Sequence, residues 1–573
     1  MMSLITRLKE HVVATPNKLI YSFLDTDEPV NLTYKEMDQQ ARAIAAELIQ
    51  LGACAGDRVL IALPQSVNYL TSFWACLYAK LIAVPVFPLL TISHANRTLG
   101  IIKDAEARFV IANQPTIEIL RSNYTFAHEI FYIDAETLSK EDRGVTFVEP
   151  DLDTIAFLQY TSGSTGNPKG VIVKHRNLMA NLHMLQMAID MDADTRLVSW
   201  LPLFHDMGLI GNALQAAYLG AQLHFMSPSK FIKKPLFWLE MITKYQATHI
   251  FAPSFAYEMC LAEAHKANGE KLNLSSVRRV INGAEPVRVH IMESFADAFE
   301  PYGLDPTTLT AGYGMAEATL YITRGNASRQ GLECEELDEN SLRVGQSVLA
   351  DSYSSAVRRV ANHGKYTVNQ ELTIVDPTSL CTLPTRTVGE IWVKGPHICA
   401  GYWNKSELNK ETFSAYTKNT QTGPWLRTGD LGYLNENGEL FIIGRCKDVI
   451  IIHGKNFAPQ DIEHTVEDCS DLFKPNSVIA IAAEDQQKEK LVVIAEIRNK
   501  ITSDQAAELR RTIKKHLLSD YSLAVHEIVF VGRGGIPKTT SGKLQRQICR
   551  QNYLSKQLPI LQVSAEAPAL LVQ

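Results

Sequence analysis

A single Lys closes a loop made of Gly, Ser and Thr in this 573-residue chain. The stretch "YTSGSTGNPKG", Tyr160 to Gly170, follows the apolar run "TIAFLQ" and precedes "VIV". A Gly-rich loop after a strand aims several backbone N–H groups at a phosphate. Ser and Thr hydroxyls add donors, and Lys adds a point charge. Thr161, Ser162, Gly163, Ser164, Thr165, Gly166 and Lys169 are therefore candidates to hold phosphate. The Walker pattern G-x-x-x-x-G-K-[ST] does not fit: counted from Gly163, Pro168 stands where Gly is required, and Gly170 follows Lys169.

Further segments carry polar residues in small or apolar settings. "LPLFHDMGLIG" sets His205 and Asp206 inside an apolar run, and an apolar channel with a polar residue at its mouth suits a hydrophobic substrate with a reactive head. "INGAEP" and "AGYGMAEAT" each run from small residues to an acid. Their glycines let backbone approach a planar base, Tyr313 offers a stacking face, and Glu317 offers Mg²⁺ an oxygen. Either segment equally suits an ordinary helix N-terminus with its acid. "RTGDLGYL" puts Asp430 in a tight turn, where its carboxylate can accept two hydroxyls, as a ribose offers. "GRCKD" carries Arg445, Lys447 and Asp448, and "GGIPKTTSGKLQRQ" carries Lys538 and Lys543.

The elements that must position these residues are legible as patterns. "LTYKEMDQQARAIAAELIQLG" and "SVNYLTSFWACLYAKLIA" have helical period, while "DRVLIAL", "AVPVF" and "RFVIAN" read as strands. The alternation continues through "RLVSWLP", "QLHFM", "THIFAP" and "VRRVING" and predicts α/β layers on largely parallel sheets, with ligands at strand C-terminal ends. Past residue 365 short strands separated by turns predict a β-rich region. After "GRCKD" a smaller α+β unit begins, with a helix over "SDQAAELRRTIKKHLLSD". The domains expected are 1–447 and 448–573, the second with a terminal tail.

Composition bounds the class. A net charge of -6 argues against broad nucleic-acid binding. Nine scattered Cys without a C-x-x-C pair fit reduced thiols better than disulfides or zinc. The N-terminus reads as a short amphipathic helix (Leu4, Ile5, Leu8, Val12), not a signal peptide. The most apolar window, "LYAKLIAVPVFPLL", is too short and interrupted to span a bilayer. A cytoplasmic location and no integral membrane segment are expected.

Taken in order, "YTSGSTGNPKG", "LPLFHDMGLIG", "YGMAEAT", "RTGDLGYL", "GRCKD" and "PKTTSGKLQR" closely resemble the adenylate-forming superfamily of acyl-CoA synthetases, luciferases and nonribosomal adenylation domains. The resemblance covers nearly the whole chain. It implies a large multi-subdomain N-terminal adenylation domain and a small mobile C-terminal domain. It also implies two steps, in which a carboxylate first attacks ATP to give acyl-AMP and pyrophosphate, and a nucleophile then takes the acyl group. Two unit charges about 4 Å apart repel by roughly 4 kcal/mol at an effective dielectric near 20, so cations are needed where carboxylate and triphosphate meet. By similarity Lys543 bridges the two, with His205 and Glu317 also catalytic. Thr165 and Glu317 hold Mg²⁺, and the loop holds the β- and γ-phosphates. Gly283, Ala284, Gly312 and Tyr313 frame the nucleotide base, and Glu285, Ala311, Gly314 and Met315 also belong to the cofactor site. Asp430 and Arg445 grip the ribose, and Asp448 is the hinge.

The apolar, aromatic stretch "THIFAPSFAYEMC" favours a fatty acid, with His205, Met207, Gly208, Phe251, Pro253 and Ser254 as its contacts. "LPLFHDMGLIG" and "IHGKNFAPQDIE" look more like fatty acyl-AMP ligases than CoA ligases. Extra sequence near 340–367 matches the position of an insertion in those ligases. Its Val348, Leu349, Tyr353, Val357 and Val360 are expected to dock on the small domain and impede the rotation that CoA attack requires. The expected partners are a fatty acid and a separate acyl carrier protein, since no carrier domain is visible in the chain. A fatty acyl-CoA synthetase is the alternative, and a non-catalytic nucleotide sensor the more distant one.

Overall fold

The computed structural model describes residues 2–561 except 90–91, 125–128, 139–140, 142–143, 162–167, 329–330, 344, 355, 368, 453–454, 474–475, 486–487, 500, 522 and 540–542. Two twisted sheets form the body of the large unit. One has six strands in the order 131–134, 109–112, 58–62, 82–85, 155–161, 169–174, all parallel except the last. The other has eight, in the order 321–324, 309–314, 279–282, 249–252, 196–199, 222–225, 19–23, 30–33, with antiparallel strands only at its two edges. Parallel neighbours require crossover connections, which is why apolar strands alternate with helices along the sequence. Helix Tyr34–Gln50 begins on a capping box: Thr33 Oγ1 accepts from Glu36 N, and Glu36 accepts from Thr33 N.

Four antiparallel strands, 371–375, 389–394, 426–434 and 440–445, make the β-rich region. Asp430 lies here. It is not in a tight turn, as expected, but within strand Leu426–Leu434, opposite Arg445. Gly429, at φ +72, kinks the strand beside it. Only Gly takes that conformation at little cost, so the Gly-Asp pair reads locally as a turn while the strand continues.

The small unit is a three-stranded sheet (478–485, 488–496, 525–531) sandwiched by helices. Alternate residues feed two cores. Val478, Ala480, Val493 and Ala495 pack with Ile462, Val466, Leu509, Ile513 and Leu517 of helices Pro459–Glu467 and Ser503–Tyr521. Ile479, Ile481, Val492 and Ile494 pack with Cys549 of helix Arg546–Leu554. This is the period-two alternation of a sheet covered on both faces. Both cores draw only on residues from Ile450 onward.

The insertion differs from expectation. Val348, Leu349, Tyr353 and Val357 are solvent-exposed, Tyr353 by 92%. Val360 is buried, but against Leu337, Leu342, Tyr433 and Phe441 of the large unit. Helix Glu339–Arg343 lies against strand Lys455–Phe457 of the small unit, and Arg358 pairs with Asp461 at 3.1 Å. Strand Val357–Ala361 is pinned to Cys334–Asp338, so its alternating apolar residues divide between core and solvent.

Candidate active site

The strands end at one cavity of about 690 Å³ between the two units. The hairpin 155–161/169–174 brings Thr161 and Lys169 together as cross-strand partners at its rim. Ser162, Gly163, Ser164, Thr165 and Gly166 lie outside the described residues. Lys169 Nζ stands 5.2 Å from the ring centre of Tyr402. Burial and the nearby Lys447 lower the Lys169 pKa, while Glu317 opposes them.

Glu317 follows the strand Leu309–Gly314 on a helical turn closed by Thr319, whose Oγ1 donates to His397 O at 2.7 Å. The Glu317 carboxyl is buried, and Tyr402 O–H donates to its Oε1 at 2.7 Å. Burial pushes its pKa up. Among the described residues no group of three His, Cys, Asp or Glu is arranged for a metal. A single enclosed carboxylate on the cavity wall fits a Mg²⁺ that takes its other oxygens from phosphate and water.

Close backbone approach shapes the wall between the strands. A Cβ on Gly314 would lie 1.9 Å from Leu320 O, and one on Gly283 would lie 2.9 Å from Gly312 O. Gly283, Ala284, Glu285, Gly312, Tyr313, Gly314 and Met315 all line the cavity. Ala311 does not; it is fully buried in the sheet, paired with Asn282. Tyr313 O–H donates to Asp430 Oδ2 at 2.8 Å, and Arg445 Nε lies 2.9 Å from Asp430 Oδ1. Each carboxylate oxygen of Asp430 is therefore fixed from one side. Asp430 raises the Arg445 pKa further, so the guanidinium stays charged.

Residues 8–403 match the AMP-binding enzyme family, and residues 447–563 match the Disco-interacting protein 2-like AMP domain. The chain belongs to the AMP-binding enzyme family. It is 38% identical to the medium-chain-fatty-acid--[acyl-carrier-protein] ligase JamA of Moorena producens, over 93% of this chain and 92% of that protein. It is 33% identical to the long-chain-fatty-acid--AMP ligase FadD26 of Mycobacterium marinum, over 96% of each. The crystal structure of the fatty acyl-adenylate ligase from L. pneumophila in complex with acyl adenylate and pyrophosphate has the same fold, with a TM-score of 0.73, 36% identity and 97% of both chains covered.

In this AMP-binding enzyme the cavity lining also has apolar members. Phe204, Met207, Phe251, Ile281 and Leu320 belong to it, as does His205, whose Nδ1 lies 2.6 Å from Asp206 Oδ1. Three expected acyl contacts are not brought to the lining. Ser254 Oγ is spent on Pro286 O and Asn282, and Pro253 precedes it as the helix cap. Gly208 serves packing, since a Cβ there would meet Pro202 O at 2.2 Å. These residues sit beside the apolar lining in sequence but are buried outside it.

Lys543 of the small unit lines the cavity together with Asp206, Arg445, Glu285 and Asp430. Desolvation lowers its pKa; Asp206 is the strongest group acting the other way. Asp448 Oδ2 lies 3.6 Å from Arg546 Nη1. Arg546 also forks onto Glu463, so it links Asp448 to helix Pro459–Glu467. Sequence reasoning missed Tyr402 and Arg546. The signal for Arg546 was its place in "PKTTSGKLQR"; Tyr402 lies in "GYWN", which has no spacing that marks it.

Proposed function

We propose that this enzyme activates a medium- or long-chain fatty acid to acyl-AMP with release of pyrophosphate, then passes the acyl group to the phosphopantetheine thiol of a separate acyl carrier protein. One observation carries the reading: Lys543 of the small unit shares a cavity with His205, Glu317 and the Asp430–Arg445 pair of the large unit. Family membership supports ATP as the energy source, and the similarity to the JamA and FadD26 ligases supports the acyl substrate and carrier acceptor.

In this reading Asp430 accepts the ribose hydroxyls, held for that task by Tyr313 and Arg445. The glycines let backbone flank the base. Lys169 attracts the outgoing phosphates. His205 orients the carboxylate of an acyl chain laid along Phe204, Met207 and Phe251. Lys543 neutralises charge where that carboxylate meets the α-phosphate. Thr165 and Glu317 would hold Mg²⁺, which supplies charge neutralisation on the phosphates. Residues 1–447 act as the adenylation domain and 448–573 as the mobile one, turning at Asp448. Because Lys543 is delivered by the small domain, the site is complete only when the domains close. ATP as substrate and nine free thiols suit the cytoplasm.

The test is acceptor choice. The enzyme is incubated with ATP, Mg²⁺ and fatty acids from octanoate to stearate, with CoA or a holo-acyl carrier protein. Acyl carrier product with little acyl-CoA supports the reading; efficient acyl-CoA formation replaces it with a CoA synthetase.

A further inference from the structure

One buried carboxylate of the cavity lining has no part in the reaction as described. Glu390, on strand Gly389–Lys394, has only 4% of its side chain accessible. Four donors converge on it. Arg427 Nε and Nη2 reach its Oε2 at 3.0 and 2.8 Å, and Trp392 Nε1 donates to the same oxygen at 3.0 Å. The backbone N–H of Gly429 donates to Oε1 at 3.1 Å. A carboxylate is acceptor-only, so one side chain satisfies all four.

The neighbouring strand is irregular at the same place. Glu390 pairs with Leu431 and Trp392 with Arg427, and the register shifts between them, so Thr428, Gly429 and Asp430 form a bulge opposite Ile391. A bulge interrupts the ladder and re-aims a side chain. Side chains take over from the ladder here. Thr428 Oγ1 donates to Ile391 O at 2.7 Å and accepts from Asp430 N at 3.1 Å. Gly429, at φ +72, gives its N–H to Glu390 and accepts from Cys446 N at 2.9 Å. Tyr313 and Arg445 thus hold the carboxylate of Asp430, while Glu390 and Thr428 hold the backbone that carries it.

We propose that Glu390 is a positioning residue for the nucleotide ribose: its carboxylate locks the Gly429 backbone of the bulge and so sets where Asp430 presents its oxygens. The inference rests on the reading of Asp430 as the acceptor of the ribose hydroxyls. Oε2 of Glu390 is filled by three donors and Oε1 faces Gly429 N, so Glu390 acts through Asp430 and not on the nucleotide itself. Glutamine in its place keeps one acceptor oxygen. That oxygen goes to the three donors of Arg427 and Trp392, and the amide NH2 then faces the Gly429 N–H, donor against donor. The bulge loses its anchor, and Asp430 no longer meets the ribose squarely.

The test is fatty-acid-dependent ATP–pyrophosphate exchange in wild type and Glu390→Gln, comparing ATP with 2′-deoxy-ATP and 3′-deoxy-ATP. In wild type, loss of a ribose hydroxyl that Asp430 accepts lowers kcat/KM by about tenfold or more, as for a hydrogen bond to a charged group. In E390Q the KM for ATP rises and that ratio narrows to about threefold or less, because the hydroxyl no longer finds its acceptor in place. The KM for the fatty acid is unchanged. A merely structural role lowers thermal stability and slows exchange equally with all three nucleotides. A wild-type ratio in E390Q, with activity kept or reduced, therefore overturns the inference. If E390Q does not fold, Glu390→Asp is read in the same way, since the shorter side chain cannot hold Arg427 and reach Gly429 N at once. Wild type indifferent to both ribose hydroxyls would instead overturn the reading of Asp430, so the two failures are distinct.

Discussion

Replacing Lys543 with Ala removes a cation from the point where two anions have to meet. The other groups assigned to ATP (Lys169, Glu317, Asp430 and Arg445) all belong to the large domain and keep their contacts. The loss therefore falls on the transition state and spares ground-state binding. Removing one preorganised charge donor costs about 3–4 kcal/mol. At about 1.4 kcal/mol per decade that is roughly two to three decades of rate. The loss belongs in kcat, with the KM for ATP changed by less than about threefold. Fatty-acid-dependent ATP–pyrophosphate exchange at saturating substrate reads this number directly. Exchange near the wild-type rate, or a loss confined to the KM for ATP, would refute the assigned role.

Tyr402→Phe removes the hydroxyl that steadies Glu317 at 2.7 Å. A hydrogen bond to a charged group is worth about 1.5–3 kcal/mol, so kcat/KM for MgATP drops by about tenfold or more, checked by titrating Mg²⁺ at fixed ATP. Gly314→Ala puts a Cβ 1.9 Å from Leu320 O; the strain costs about 2–3 kcal/mol and shows as a lower Tm and weakened nucleotide binding. Burial pushes the imidazoles of His175, His224, His249, His363 and His397 down to about 4 from 6.5. The unfolded chain therefore takes protons first as pH falls. Stability is full above about pH 6.5 and is lost as pH drops toward 4. A Tm unchanged across that window would contradict the linkage.

The alternation of helix and strand was legible because each parallel strand, buried on both faces, is a run of apolar residues bounded by turns. The small unit was legible for the same reason, with two cores feeding on alternate residues. Asp430 was misread locally: Gly beside Asp has turn chemistry, and only the pairing with Arg445 shows a continuous strand. The insertion was misread for a different reason. Five apolar residues suggested a docking face, but which side of a strand is covered depends on the partner strand, and here Cys334–Asp338 turns Val357 outward and Val360 inward. Of the residues in spaced motifs, Lys169, His205, Glu317, Asp430, Arg445 and Lys543 line the cavity, whereas Gly208 and Ala311 do not. Ser254 and Pro253 were assigned by adjacency to an apolar run, and the hydroxyl of Ser254 is instead used to tie down Asn282 and Pro286. Tyr402 acts through one hydroxyl across a long loop closure, which no local pattern reports.

In the proposed reaction the cavity joins a fatty acid to AMP. A single-turnover reaction of enzyme in excess with ATP, Mg²⁺ and dodecanoate, without any thiol acceptor, quenched and analysed by mass spectrometry, tests it most directly. Wild type is expected to form dodecanoyl-AMP stoichiometric with pyrophosphate, and Lys543→Ala neither product at comparable times. Pyrophosphate or phosphate released without acyl-AMP, or acyl-AMP formed equally fast by both proteins, would contradict it.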